Sequence, residues 1–154
     1  MSVFTADIFA GLNLADKATR AAAETAVGQT ALRVMRDAVM ELNTVPLDEG
    51  TLRGSGSVHV QGRFLDRSPD VGGHPTPNTS GIATPAMDGI EAVIGFNTPY
   101  SAYQHEGQRK DGSHVVRDYT EPSSGAKFLE SKMATHAKDY GAMISRLIRK
   151  ALKS

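Results

Sequence analysis

The sequence predicts an α+β fold in which two long helices, one towards each end of the chain, pack on a small, mainly antiparallel β-sheet with long flexible loops. Apolar and small residues recur at helical spacing over about 13–43 and again over about 124–153. Between these stretches the period drops to two, over Val58–Leu65 and Ile90–Phe96, as in strands with one face packed. The chain has 154 residues, which suits a single domain spanning 1–154.

The first ten residues, Met1–Ala10, carry no basic cluster and place Asp7 within their apolar part, so they make a poor signal peptide. No run approaches the roughly 18 apolar residues of a membrane span, and no membrane partner is expected. The first helix is expected from about Asn13 to Asn43, with a stripe at Leu14, Ala18, Ala21, Thr25, Gly28, Leu32, Met35, Val39 and Leu42. Asn13 can cap it with Asp16 at the third position, and Pro46 stops it. At 1.5 Å per residue it would reach about 45 Å, more than a domain of this size readily covers. Either the chain's own domain or a neighbouring subunit would cover it, and Ala21, Ala22, Ala23, Ala26 and Gly28 permit close helix approach.

After the helix, Asp48-Glu49-Gly50-Thr51 reads as a turn and helix cap, and Gly54-Ser55-Gly56-Ser57 as a flexible turn. In the first strand Val58, Val60, Gly62 and Phe64 share one face, against His59, Gln61 and Arg63. Residues 67–89 hold Pro69, Pro75, Pro77 and Pro85 among glycines and serines, and are expected as a mobile excursion. Ile90, Ala92, Ile94 and Phe96 then line one face of the second strand. Thr98, Pro99 and Gly107 frame a short helix as cap, first residue and left-handed stop, which puts Tyr100 and Tyr103 on one face. Those two rings either anchor a subunit contact or close the end of the core. A second excursion, 108–125, includes the turn signal Lys110-Asp111-Gly112 and a third strand candidate, His114–Tyr119. The last helix carries Leu129, Met133, His136, Tyr140, Met143, Leu147 and Ala151 on its stripe, with His136 expected to be buried and hydrogen-bonded. Arg146, Arg149, Lys150 and Lys153 close it, either as a solvated cap or as a contact for DNA.

Composition narrows the chemistry. Seventeen basic and seventeen acidic residues cancel, so no overall field favours nucleic acid. Cysteine is absent, which removes disulfides, thiolate metal sites and a thiol nucleophile, and suits a reducing cytoplasm. His105-Glu106 begins like a zinc-protease motif, but Arg109 stands where the second histidine belongs. A site from His105, Glu106 and His114 is the one metal arrangement the spacing leaves open. No phosphate loop, dinucleotide fingerprint or nucleophile elbow occurs. Neither catalysis nor a cofactor is expected.

Three segments also occur in a distinctive order. They are Val45-Pro46-Leu47-Asp48-Glu49-Gly50-Thr51-Leu52-Arg53-Gly54-Ser55, then Pro99-Tyr100-Ser101-Ala102-Tyr103-Gln104-His105-Glu106-Gly107, then Gly125-Ala126-Lys127-Phe128-Leu129-Glu130. The trio resembles the minor capsid, neck and tail-completion proteins of tailed bacteriophages. In that family an acid-Gly-x-Leu-Arg-x-Ser turn follows the first helix, a Tyr-Ala-x-Tyr-x-x-Glu-Gly-like segment follows a central strand, and Phe-Leu opens the last helix. The likeness covers about Leu14 to Leu152. His105 stands where the family usually has an aromatic or aliphatic residue, and Gln108 where threonine is common.

The resemblance implies a structural virion protein, a neck or tail-completion component joining the DNA-filled head to the tail. It implies copies arranged in a ring, with connector proteins (portal, adaptor or stopper) on one side and tail-terminator or tail-tube proteins on the other. DNA would be passing cargo, and assembly would take place in the bacterial cytoplasm before release with the virion. Within it Leu52, Arg53, Tyr100, Tyr103, His105 and Glu106 mark the expected contact region. The alternatives are a tail terminator or capsid-associated protein of the same virion class, a small metal-dependent hydrolase centred on His105 and Glu106, and a DNA-binding module using the C-terminal basic turns.

Overall fold

The computed structural model describes residues 7–9, 16–41, 44–45, 51–68, 89–96, 98, 101–108, 111–113 and 124–154. Two long helices, α1 (Lys17–Met40) and α4 (Phe128–Lys153), accompany a four-stranded antiparallel sheet. Its strands are β1 (Asp7–Phe9), β2 (Gly56–Val60), β3 (Arg63–Arg67) and β4 (Glu91–Phe96), in the order β1-β4-β2-β3. Two short helices, α2 (Thr51–Gly54) and α3 (Ser101–Glu106), complete the described elements. The expected α+β architecture of two terminal helices on a small antiparallel sheet is present. Among the described residues no helix is long and apolar enough to cross a membrane.

Helix α1 starts later than its sequence pattern predicts. Asp16, expected at the third helical position, is itself the cap: its carboxylate accepts from the Thr19 backbone N–H at 2.8 Å and from the Thr19 hydroxyl at 2.9 Å. Asn13 lies outside the described residues. The 24 residues of α1 span about 36 Å. Its buried positions run from Ala22 to Val39, so the chain's own elements cover its length.

The expected stripe on α1 is partly misplaced. Ala18, Ala21 and Thr25 are exposed, whereas Gly28, Met35 and Val39 are buried as expected, together with Ala22, Ala23, Ala26, Val27, Ala31, Val34 and Ala38. At about 100° per residue these buried positions wrap more than half of the helix. The cause is that α1 packs on two sides, against β2 and β4 of the sheet and against α4. Helix α4 instead buries one stripe, Leu129, Tyr140, Ile144 and Ile148, with Met133 and Leu147 packed at its margin. The two helices run antiparallel: Asp37 meets Tyr140, Glu41 meets His136, and Ala22 and Ala26 lie in the groove that Leu147 and Ala151 also line.

Strand Val58–Leu65, expected as one element, is a hairpin of β2 and β3. Gln61 and Gly62 both have positive φ, 50° and 75°, the conformation whose twist suits a two-residue hairpin turn. Gln61 holds that unusual backbone because its side chain is stapled to β4. Its Oε1 accepts from the Glu91 N–H at 2.7 Å, its Nε2 donates to Gly89 O at 3.3 Å, and its own N–H donates to Glu91 O at 2.9 Å. Gly56 and Ser57, expected in a flexible turn, instead begin β2 and pair with Phe96 and Gly95 of β4. Strand β2 sits between two partners and is wholly buried, while β3 is an edge, exposed at all five residues. A register irregularity opposite Val58 and His59 interrupts β3, and its charges Arg63, Asp66 and Arg67 guard that edge against further pairing. Strand β1, unforeseen in the N-terminal segment, pairs with β4 through Asp7–Val93 and Phe9–Glu91.

The candidate strand His114–Tyr119 and the body of both expected excursions, 69–88 and 114–123, lie outside the described residues. At the first excursion's expected start, Arg67 belongs to β3 and Ser68 is buried. The turn at Asp111–Ser113 is present, with the Asp111 carboxylate accepting from the Ser113 N–H at 2.9 Å and Gly112 at φ 81°.

Candidate functional site

The described residues of the three signature segments converge at one end of the molecule. There α1 ends, α4 begins, β2 starts and β4 finishes. The meeting point is Phe128, the first residue of α4, which has no exposed surface. Its ring stands edge-to-face with Phe96 at 5.3 Å and with His105 of α3 at 4.7 Å. Aromatic rings favour this geometry because the positive edge of one meets the negative face of the other. His105 thus occupies a ring slot in the core.

Backbone contacts lock α3 onto the start of α4. The Lys127 N–H donates to His105 O at 2.6 Å, and Gly107, with φ 71°, turns the chain away after α3. A Cβ at Gly107 would come within 2.9 Å of the Ala126 Cβ, so that approach needs glycine twice over. Above the rings, the Lys127 ammonium is hydrogen-bonded to the Glu106 carboxylate and lies 3.3 Å from that of Glu130. The contact with Lys127 holds the Glu106 carboxyl below its ordinary pKa. Burial holds His105 below its ordinary value, against the opposing pull of Glu106, whose carboxylate lies 3.3 Å from Nδ1. The histidine is therefore neutral at pH 7.

The first segment joins from the other side. Arg53 is buried and its guanidinium donates from Nε to Val45 O at 2.7 Å and from Nη2 to the Thr44 hydroxyl at 3.1 Å. Thr44 O in turn accepts from the Gly125 N–H at 3.1 Å, beside an isolated bridge between Thr44 and Ser124. Ser68 donates its hydroxyl to Arg53 O, and Ser55 donates its own to Leu52 O at 2.7 Å. Arg53 acts as a clamp that ties the end of α1 and the approach to α4 to α2.

The expected contact residues therefore divide. Leu52, Arg53 and His105 are buried within the chain and act in its packing, so they do not offer themselves to a partner. Tyr103 is half-buried and Glu106 is exposed, and both remain available at the surface of this end. Tyr100 and Pro99 lie outside the described residues. Thr98 enters α3 through its carbonyl, which accepts from the Ser101 N–H at 3.1 Å and hydroxyl at 2.9 Å, rather than through a capping side chain.

A second polar cluster lies on the α1–α4 seam; the sequence pattern placed His136 and Tyr140 on that seam but missed Arg33, Asp37 and Glu41. Asp37 is buried; Arg33 Nε donates to its Oδ1 at 2.8 Å and the Tyr140 hydroxyl to its Oδ2 at 2.7 Å. His136 Nε2 lies 2.7 Å from Glu41 Oε2, as a half-buried, hydrogen-bonded histidine. Burial next to Asp37 drives the Tyr140 hydroxyl well above the ordinary tyrosine range, and burial lowers Lys132. Asp37, Glu41 and His136 bring donor atoms within 4.8 Å of one another and are the residues here that could hold a divalent cation. However, Arg33 and Tyr140 already satisfy Asp37, and the buried ammonium of Lys132 lies close enough to feel both carboxylates. Protein cations neutralise the cluster, and it serves as a polar staple between the helices. The signal in the sequence was Asp37 and Glu41 four apart, facing His136 and Tyr140 four apart.

His105 and Glu106 are adjacent, but the third residue of the metal arrangement considered from sequence, His114, is outside the described residues. Comparison with known protein families, with curated proteins and with solved structures finds no match.

Proposed function

We propose that this chain is a structural protein of a tailed-phage virion, a neck or tail-completion component that joins the filled head to the tail as a ring of copies. The observation that supports this is the convergence just described: segments about 50 and 25 residues apart in the chain, picked out by their resemblance to one family, build a single end of the molecule around Phe128. Side chains that share a motif because they share a structural task should meet in space, and these do. Their task is architectural, since the buried members pack and clamp while Tyr103 and Glu106 face outward. In the ring, this end contacts the neighbouring copy through a heterologous, rotation-closed interface. Connector proteins lie on one side and tail-terminator or tail-tube proteins on the other, and no covalent chemistry is involved.

The test is complementation. An extract of filled heads and finished tails is prepared from a phage lacking this gene, and purified protein is added. Infectious particles should appear in proportion to the protein supplied, and a folded Tyr103→Ala/Glu106→Ala variant should restore far fewer. No gain in infectivity from folded wild-type protein would overturn the proposal.

A further inference from the structure

The chain as a whole is neutral, yet its cations are distributed in two different ways. Arg20, Arg33, Arg63 and Lys127 each lie within ion-pair distance of a carboxylate, at Glu24, Asp37, Glu24 and Glu106 respectively. Arg146, Arg149, Lys150 and Lys153 are exposed, and no ion pair joins them to a carboxylate among the described residues. Residues 140–154 contain no Asp or Glu at all.

The four are spaced i, i+3, i+4, i+7, which places them on one face of α4. That face is turned away from Tyr140, Ile144 and Ile148, the residues by which this half of α4 packs. Like charges at these spacings repel one another. The helix dipole compensates cations only within the last turn, which accounts for Lys150 and Lys153 but not for Arg146 and Arg149. An external anion relieves all four together.

We infer that this face of α4 is a binding site for the phosphate backbone of nucleic acid. The stripe covers about 10 Å of helix, comparable with about three phosphate-to-phosphate steps of one strand at about 3.4 Å each, so that its four cations can meet four successive phosphates. It carries no aromatic or aliphatic anchor of the kind that centres a protein interface. Apart from Leu152, which is exposed, the large apolar residues of α4 are spent on packing, and a single leucine offers too little apolar surface to hold the helix on a lipid surface. This inference does not depend on the virion proposal, because it is read on the isolated protein.

The experiment is fluorescence anisotropy of a labelled DNA duplex titrated with purified protein across a salt series. Four phosphate contacts predict a slope of log K against log salt near −3.6, or roughly 150-fold weaker binding between about 50 and 200 mM salt. Arg146→Gln, Arg149→Gln, Lys150→Gln and Lys153→Gln should each reduce the slope by about 0.9, and the quadruple variant should abolish binding. Circular dichroism melting establishes that the variants are folded, and the single substitutions decide should the quadruple variant not be. The site is refuted by no binding at about 50 mM salt, or by slopes the variants leave unchanged. Equal binding to polyglutamate or to phosphatidylserine vesicles refutes nucleic acid as the ligand.

Discussion

Replacing Phe128 by leucine tests the ring cluster that draws the three sequence segments together. Alanine would be too blunt: deleting a buried phenylalanine costs about 3–5 kcal/mol, a large part of the roughly 5–15 kcal/mol that holds a domain folded. Leucine keeps much of the volume and removes the ring. Both edge-to-face contacts, with Phe96 at 5.3 Å and His105 at 4.7 Å, are then lost. At about 0.5–1.5 kcal/mol each, the expected destabilisation is about 1–3 kcal/mol. Urea denaturation followed by circular dichroism measures it. A double-mutant cycle with Phe96→Leu then isolates the contact itself, with an expected coupling of about 0.5–1.5 kcal/mol. A coupling indistinguishable from zero would show that the two rings do not meet as described, and the convergence at Phe128 would lose its basis.

Tyr140→Phe should cost about 1.5–3 kcal/mol by removing a hydrogen bond to the buried Asp37 carboxylate, measured in the same assay; an unchanged midpoint would mean that Asp37 is hydrated instead. Burial puts the folded-state pKa values of His105 and His59 below the ordinary 6.5, so the unfolded chain takes up protons first. Their contribution to stability is complete above 6.5 and is lost as pH falls towards the folded values, and Glu106, depressed by Lys127, adds a loss at lower pH, below 4.5. Urea midpoints should therefore fall between about pH 7 and pH 5, and less steeply in His105→Phe; a flat profile would contradict the burial of both histidines. His105→Phe should itself fold, within about 1.5 kcal/mol of wild type at neutral pH, because the site is a ring slot. Two glycines should respond in opposite directions. At Gly56 an added methyl meets the Phe96 ring and Ser68 Cβ at 2.9 Å, so Gly56→Ala should lose about 1–3 kcal/mol. At Gly141, on an open face of α4, it meets nothing within 4 Å, and Gly141→Ala should gain about 0.5–1 kcal/mol. Thermal melts of the pair check the sign of each.

What the sequence made legible follows from how each element is buried. Helix α4 packs along one stripe, so its period marked Leu129 and Tyr140 correctly and Met133 and Leu147 at the margin, but it passed over the buried Ile144 and Ile148 and took in Ala151, which is exposed. Helix α1 packs on two sides, and alanine is small enough to sit anywhere on it, so contrast between faces is weak and the expected stripe drifted onto Ala18, Ala21 and Thr25. The hairpin at Gln61-Gly62 was hidden because alternation continues through the turn, and glutamine holds positive φ there only with help from Glu91 and Gly89, thirty residues on. Strand β1 has three residues, too few to register a period, and it exists through pairing with β4.

The signature segments were legible as neighbours in order but not as neighbours in space. Arg53 looked like part of a contact region, since nothing in its local sequence reveals that Val45 O and the Thr44 hydroxyl wait for its guanidinium. His105 looked like half of a metal motif, and it became a core ring only once Phe128 was seen beside it. Asp37 and Arg33, and the bond that Tyr140 makes to Asp37, escaped because a buried charge network is defined by partners about a hundred residues apart.

Electron microscopy of lysates from the parent phage with this gene disrupted would test the joining role most directly. Filled heads and complete tails lying unjoined are the predicted result. Normal infectious particles would contradict it, and full heads accompanied by absent or overlong tails would move the assignment to tail termination.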